Sequence, residues 1–209
     1  MPSKRHCLIA IGANLPSVMG PPHVTLRAAL GILHAEPNIS ITAISSFWRN
    51  PAFPAGAGPD FCNAAIKVIT TRAPDAVMAL LHHMESEMGR SRGDAARWAP
   101  RPLDMDLIAV DALVLPDPAG HAAWRDLSAA RQTVETPDRL ILPHPRLQDR
   151  AFVLAPLAEI APLWRHPVTG RTIAGMLADL GPDAMRDLHR IGPGGAAQVS
   201  PDAARQAIG

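Results

Sequence analysis

Over residues 6–110 the chain reads β-α-β-β-α-β, which predicts an α+β protein: a ferredoxin-like α/β sandwich, an antiparallel sheet with helices packed on it. Three observations carry this. Short apolar runs recur at His6–Ile11, Ile39–Trp48, Phe61–Thr70 and Leu103–Val110. Two segments at helical spacing separate them, and Pro/Gly clusters mark the joints. Two further helical segments in the last third make the expected layout a three-layer α-β-α arrangement with C-terminal additions.

Each element has a local reason. The first run stops at Gly12-Ala13-Asn14, a turn. Pro21-Pro22 opens a helix reaching about His34, with Val24, Leu26, Leu30 and Leu33 on one side, and Pro37-Asn38 stops it. Ile39–Trp48 is β-branched and loosely alternating, a strand. Residues 50–60 hold Pro51, Pro54, Gly56, Gly58 and Pro59, a loop. Phe61–Thr70 returns as a strand. Pro74–Met88 is the best helix of the chain, with Val77, Leu80, Leu81, Met84 and Met88 inward and Gly89 as its C-cap. An arginine-rich loop then leads into the strand at 103–110. Residues 116–139 look inserted, with a short helical piece at Ala122–Arg131. Leu140–Pro143 reads as a brief strand, Phe152–Ile160 and Thr172–Leu180 as helices. From Arg190 onward no periodic apolar face remains, so a disordered tail over 190–209 is expected.

The bulk numbers narrow the function. The chain has 209 residues, 47% of them hydrophobic, and a net charge of +1, which suits one ordinary globular domain. Between residues 84 and 106 the arginines are matched by Glu85, Glu87, Asp94, Asp104 and Asp106, so no nucleic-acid surface is expected. Cys7 and Cys62 stand alone in apolar runs, as buried reduced thiols do. No apolar stretch approaches the roughly 18–20 residues of a membrane span, and no signal peptide precedes the first run; a cytoplasmic protein is expected.

The most informative stretch is Gly89–Asp106, where Arg90, Arg92, Arg97, Arg101 and Trp98 precede Asp104-x-Asp106. On a strand the two aspartates share a face. Paired carboxylates repel and are costly to bury, and a hard cation such as Mg²⁺, sharing phosphate oxygens, removes that cost. Arginine forks bind phosphate bidentately and stay charged. The stretch therefore reads as a site for a metal–nucleotide complex. No Walker-type glycine loop is present, so arginines and metal would hold the nucleotide. His82 and His83 diverge by about 100° on a helix and cannot share a metal. His144, stiffened between Pro143 and Pro145, pairs with Arg150 as a candidate second phosphate element. The Asn63 amide can read a heteroaromatic edge, and Phe61 and Phe152 can stack on a flat ring.

These motifs resemble a known family. Pro59-Asp60-Phe61-Cys62-Asn63-Ala64-Ala65, Gly89-Arg90-x-Arg92, Arg97-Trp98-x-Pro100-Arg101-x-Leu103-Asp104-x-Asp106, Pro143-His144-Pro145-Arg146 and Arg150-x-Phe152 are similar to 6-hydroxymethyl-7,8-dihydropterin pyrophosphokinases of folate biosynthesis. Ile11-Gly12-Ala13-Asn14-Leu15 is similar to that family's opening motif. The resemblance runs from about residue 6 to 180. It implies a single pyrophosphokinase domain over 1–185, carrying the 116–139 insertion. It implies transfer of diphosphate from ATP to the pterin hydroxymethyl group, with release of AMP. Asp104 and Asp106 then hold two Mg²⁺ ions, and Arg90, Arg92 and Arg101 serve catalysis by contacting the phosphates. Glu85, Trp98, His144 and Arg150 complete the ATP site. Asn50, Pro51, Phe53, Phe61, Asn63 and Phe152 form the pterin site. A monomer with no nucleic-acid or membrane partner is expected.

Four departures from the family pattern stand out. Phe61 lacks a hydroxyl common at its position, Pro145 replaces a frequent aromatic, and Gly93 sits where a basic residue often follows Arg92. The Arg92–Trp98 spacing is one residue longer. The alternative is a non-catalytic or degenerate ferredoxin-like nucleotide- or pterin-binding module. An RNA-binding version needs aromatic side chains on its central strands, and these strands offer Ile, Val, Ala and Leu.

Overall fold

The computed structural model describes residues 3–52, 56, 58–89, 101–128, 131 and 134–192. The sheet is antiparallel throughout its pairings. It consists of β1 (Arg5–Ala13), β2 (Ile39–Ile44), β3 (Phe47–Asn50), β4 (Phe61–Thr70), β5 (Asp104–Val110) and β6 (His189–Ile191), in the order β5-β1-β4-β3-β6, with β2 also on β4. Against one face lie α1 (Pro22–Ala35) and α2 (Pro74–Glu87). On the other lie α4 (Ala151–Ile160) and α5 (Ile173–Asp179), while α3 (Pro118–Arg125) belongs to the segment between β5 and α4. The α+β, three-layer arrangement expected from the pattern is the one present.

The period-2 rule explains the layers. Cys7, Ile9 and Ile11 of β1 pack with Leu26 and Leu33 of α1 and with Val77, Leu81 and Met84 of α2. Leu8 of β1, Ala65 of β4 and Ile108 of β5 face Val153, Leu154 and Leu157 of α4 and Ile173 of α5. Both faces of the central strands are therefore dry, which is why β4 reads as a nearly continuous apolar run.

Four sequence expectations need correction. The strand expected over 39–48 is broken at Ser45-Ser46. Ser45 exchanges hydrogen bonds with Ala65 of β4, its Oγ accepting from Ala65 N at 2.8 Å, while Ser46 N donates to Glu159 Oε2 at 2.7 Å. The helix in the inserted segment begins earlier and ends sooner than expected. Asp117 caps it, its Oδ1 accepting from Gly120 N at 2.9 Å, and Pro118 suits the first turn. Finally, Arg190 and Ile191 belong to an ordered strand, not to a disordered tail. β6 is held by Arg190, which pairs with Glu159 at 2.6 Å and lies over the Trp48 ring at 5.3 Å. Residues 193–209 lie outside the described residues. Leu140–Pro143 contributes a bridge, Leu142 to Leu115, in place of the brief strand expected.

Candidate active site

β5 carries the two aspartates, and a β-bulge sets what faces them. Against β1 the register runs Gly12↔Asp104, Ala10↔Asp106 and Ile9↔Leu107, then shifts, so that Ala109 pairs with Leu8. Met105 and Leu107 point into the α1/α2 core, so Asp104 and Asp106 share the opposite face, as the strand geometry requires. The extra residue, Ile108, offers its carbonyl to His144 N at 2.8 Å. That hydrogen bond brings the Pro143-His144-Pro145-Arg146 loop alongside the Asp-x-Asp face.

Each aspartate is matched by an arginine. Arg101 Nη1 lies 2.6 Å from Asp104 Oδ1, and Arg150 Nη1 lies 3.5 Å from Asp106 Oδ2, all four side chains being partly exposed. Arg101 is itself positioned by the end of β1. Its backbone N–H donates to Asn14 Oδ1 at 2.7 Å, and its carbonyl accepts from Asn14 N and Leu15 N. From beneath, the buried Glu85 of α2 accepts from Met105 N at 2.8 Å, fixing β5 between its two acidic residues.

His144 is half-buried and its pKa is pushed down to about 3, first by desolvation and then by the Arg150 and Arg146 guanidiniums. Its Nδ1 accepts from Arg146 N at 3.1 Å. The proton of the neutral ring therefore sits on Nε2, making His144 a donor and a poor base. The thiols of Cys7 and Cys62 are pushed up to about 12 and about 11, chiefly by burial, which leaves both inert.

Two clefts converge on this cluster. The larger, about 920 Å³, runs between the outer face of α2 (Asp75, Met78, His82) and the 135–141 segment. The smaller, about 450 Å³, is lined by Asn50, Pro51, Phe61, Asn63 and Phe152. Both volumes lie in the roughly 300–1,000 Å³ range of ligand sites. Arg101, Asp104, Asp106, Thr136, His144, Arg146 and Arg150 border both. In the smaller cleft Asn63 Nδ2 donates to Asn50 Oδ1 at 2.6 Å. Gly12 lies directly across from Asn63 in the sheet, and a Cβ there would fall 2.4 Å from Asn63 Oδ1. Only glycine leaves room for that amide.

The structure thus brings together Glu85, Arg101, Asp104, Asp106, His144 and Arg150 on one side, and Asn50, Pro51, Phe61, Asn63 and Phe152 on the other. Arg90, Arg92, Trp98 and Phe53 fall outside the described residues. Gly12, Asn14, Thr136 and Arg146 border the clefts without having been singled out as site residues. Arg146 stood in the Pro-His-Pro-Arg motif, and the pairing of β1 with β5 is the signal that would have found Gly12 and Asn14.

A profile of the family described as 7,8-dihydro-6-hydroxymethylpterin-pyrophosphokinase (HPPK) matches residues 8–162. The chain belongs to the HPPK family. It is 32% identical over 152 residues to the 2-amino-4-hydroxy-6-hydroxymethyldihydropteridine pyrophosphokinase of Bacillus subtilis, covering 73% of this chain and 75% of that one. The Pseudomonas aeruginosa protein of the same name is 31% identical, covering 81% and 88%. Among solved structures, Plasmodium falciparum HPPK-DHPS A437G with SDX-DHP superposes with a TM-score of 0.63 at 12% identity, over 100% of this chain and 56% of that one. The wild-type form gives 0.62 at 10%, over 99% and 54%. This chain spans about half the length of those HPPK-DHPS chains, and the likeness concerns the fold. Among the described residues, no helix is long and apolar enough to cross a membrane.

Proposed function

We propose that the protein transfers the β,γ-diphosphoryl unit of ATP to the hydroxymethyl group of 6-hydroxymethyl-7,8-dihydropterin, releasing AMP. The observation that carries this reading is the convergence of two clefts on one cluster of two aspartates, three arginines and a neutral histidine. A two-substrate transfer needs such a meeting point. The larger cleft suits the nucleotide. The smaller, lined by the Asn63–Asn50 amide pair together with Phe61 and Phe152, suits a flat heteroaromatic ring.

The donor set fits Mg²⁺. Asp104 and Asp106 supply two carboxylates on one face, and no group of three or more His, Cys, Asp or Glu among the described residues could chelate a metal by itself. That is the donor set of a hard cation that completes its shell with phosphate and water oxygens. Two such ions, held by these aspartates, would neutralise phosphate charge and make the pterin hydroxyl more acidic.

The chain's own groups then divide the work. The pterin oxygen bonds to Pβ as the bond from Pβ to the oxygen bridging Pα breaks, and AMP carries that oxygen away. Arg101 and Arg150 stand beside the carboxylates and bear on the phosphate charge, while His144 Nε2–H donates to a phosphate oxygen. With its pKa near 3, His144 is unsuited to take the hydroxyl proton, which leaves Asp104 or Asp106 nearest for it. Arg90, Arg92 and Trp98 are assigned to closing over the nucleotide, a role drawn from the motif alone.

The test is product analysis after mixing the protein with Mg-ATP and 6-hydroxymethyl-7,8-dihydropterin. AMP and the pterin diphosphate, in equal amounts and dependent on both pterin and metal, are the expected result. ADP would place the protein among single-phosphoryl kinases. No turnover with saturable nucleotide binding would make it a binding module.

A further inference from the structure

The segment between β5 and α4 contributes more than a connection. Its helix α3 is locked against the site. Leu115 and Leu142 exchange backbone hydrogen bonds at 2.8 and 3.2 Å, and Asp117 caps the helix just beyond. One turn on, the fully buried His121 donates from Nε2 to Pro143 O at 3.0 Å, the carbonyl next to His144. That contact fixes the rotation of α3 relative to the clefts.

Trp124 follows His121 by three residues, which puts it on the same side of the helix. The indole is half-buried and lines the larger cleft together with Leu127. It borders only that cleft, unlike the aspartate–arginine cluster that borders both. Trp124 therefore belongs to the part away from the transfer point, where Met78, Ala79 and His82 of α2 form the other wall. Among the described residues no hydrogen bond engages its N–H and no aromatic ring packs on it. A half-buried amphipathic ring in a cleft wall offers a face for a flat π-system.

We propose that Trp124 is a base-stacking residue for the nucleotide, supplied by the 116–139 segment. The proposal rests on the reading that the larger cleft takes ATP. With the phosphates at the shared cluster, the base extends along the unshared part of the cleft, toward this indole. Stacking tolerates any base, so Trp124 adds affinity for nucleotides without selecting adenine.

The experiment is calorimetric titration of the full chain with two metal-loaded probes, the α,β-methylene analogue of ATP and inorganic tripolyphosphate. Trp124→Ala and Trp124→Leu are expected to weaken the analogue about 5- to 30-fold, while Trp124→Phe retains most of the affinity. Tripolyphosphate, which has no base, should bind all variants within about twofold of wild type. Trp124→Leu keeps an apolar side chain in the wall, so it reads the π-face even if Trp124→Ala fails to fold. Analogue affinity unchanged in Trp124→Leu, beside a wild type that turns over normally, would overturn this inference alone. Parallel losses for analogue and tripolyphosphate would also overturn it, by making Trp124 a support for the segment. A wild type that binds no analogue removes the pyrophosphokinase reading and this one with it.

Discussion

Replacing Gly12 with alanine should separate the two substrates kinetically. The added Cβ would sit 2.4 Å from Asn63 Oδ1, whereas ordinary contact begins at 3.4 Å, so the amide must move by about 1 Å. The next atoms, Asn63 Cγ at 3.6 Å and Cys62 O at 3.8 Å, already lie at contact distance, so the backbone need not shift. The displaced amide loses its 2.6 Å hydrogen bond to Asn50 and its aim into the smaller cleft. A misplacement of about 1 Å at a binding group costs on the order of 100-fold. We therefore expect kcat/KM for the pterin to fall about 100-fold, with KM for ATP within about twofold. The melting temperature should move by no more than about 4 °C, since at most about 1 kcal/mol of stability is at stake. Steady-state kinetics with each substrate varied in turn, beside an Asn63→Ala control, would read this. Pterin kcat/KM within threefold of wild type would refute the reasoning, as would equal losses for both substrates accompanied by a collapse in melting temperature.

Asp106→Asn and Asp104→Asn should each lower kcat at least about 100-fold while circular dichroism stays native, because each removes negative charge where the metal is held; near-normal turnover in either would contradict the assignment. Glu85→Ala leaves Met105 N buried without that acceptor, which costs about 1–3 kcal/mol and should lower the melting temperature by about 3–10 °C, with Glu85→Gln milder. His166 is buried with its pKa pushed down to about 4, by desolvation first and then by the His121 and Arg125 charges. Below its ordinary value of 6.5 the unfolded chain binds a proton that the native state does not, so stability is lost as pH falls from about 6.5 toward 4. His166→Asn retains an acceptor for Val168 N without titrating, so its stability relative to wild type should improve by up to about 2 kcal/mol between pH 7.5 and pH 5 in denaturant titrations. Cys7 and Cys62 should resist thiol reagents at pH 8 until the protein unfolds; rapid labelling of the native state would contradict their burial.

What could be read from the sequence followed from periodicity and from charge. The strand over 61–70 and the helix from Pro74 are strongly patterned, and both occupy the expected positions. The shared face of Asp104 and Asp106 needed only strand geometry. What escaped depends on contacts far apart in the chain. Ser46 and Trp48 are drawn to Glu159, 113 and 111 residues away, and the same carboxylate pins Arg190. Nothing local in Arg190–Ile191 signals a strand, because its stability comes from an ion pair and an indole face. Asn14 likewise reads as a turn residue until β1 and β5 are seen side by side, when its clamp on Arg101, 87 residues on, becomes apparent.

The bulge at Ile108 has a practical consequence for anyone moving this chemistry elsewhere. Before it, β5 presents carboxylates to the clefts; at and after it, Ile108 and Ala109 pack on the α4/α5 core while Val110 returns to the α1/α2 core. Grafting Asp104–Asp106 alone onto another antiparallel sheet would import the ligands without the carbonyl that seats His144. The smallest transplantable unit therefore runs from Arg101 through Ala109; deleting Ile108 would regularise the pairing and leave the acidic pair facing the clefts, but would remove the carbonyl that seats His144.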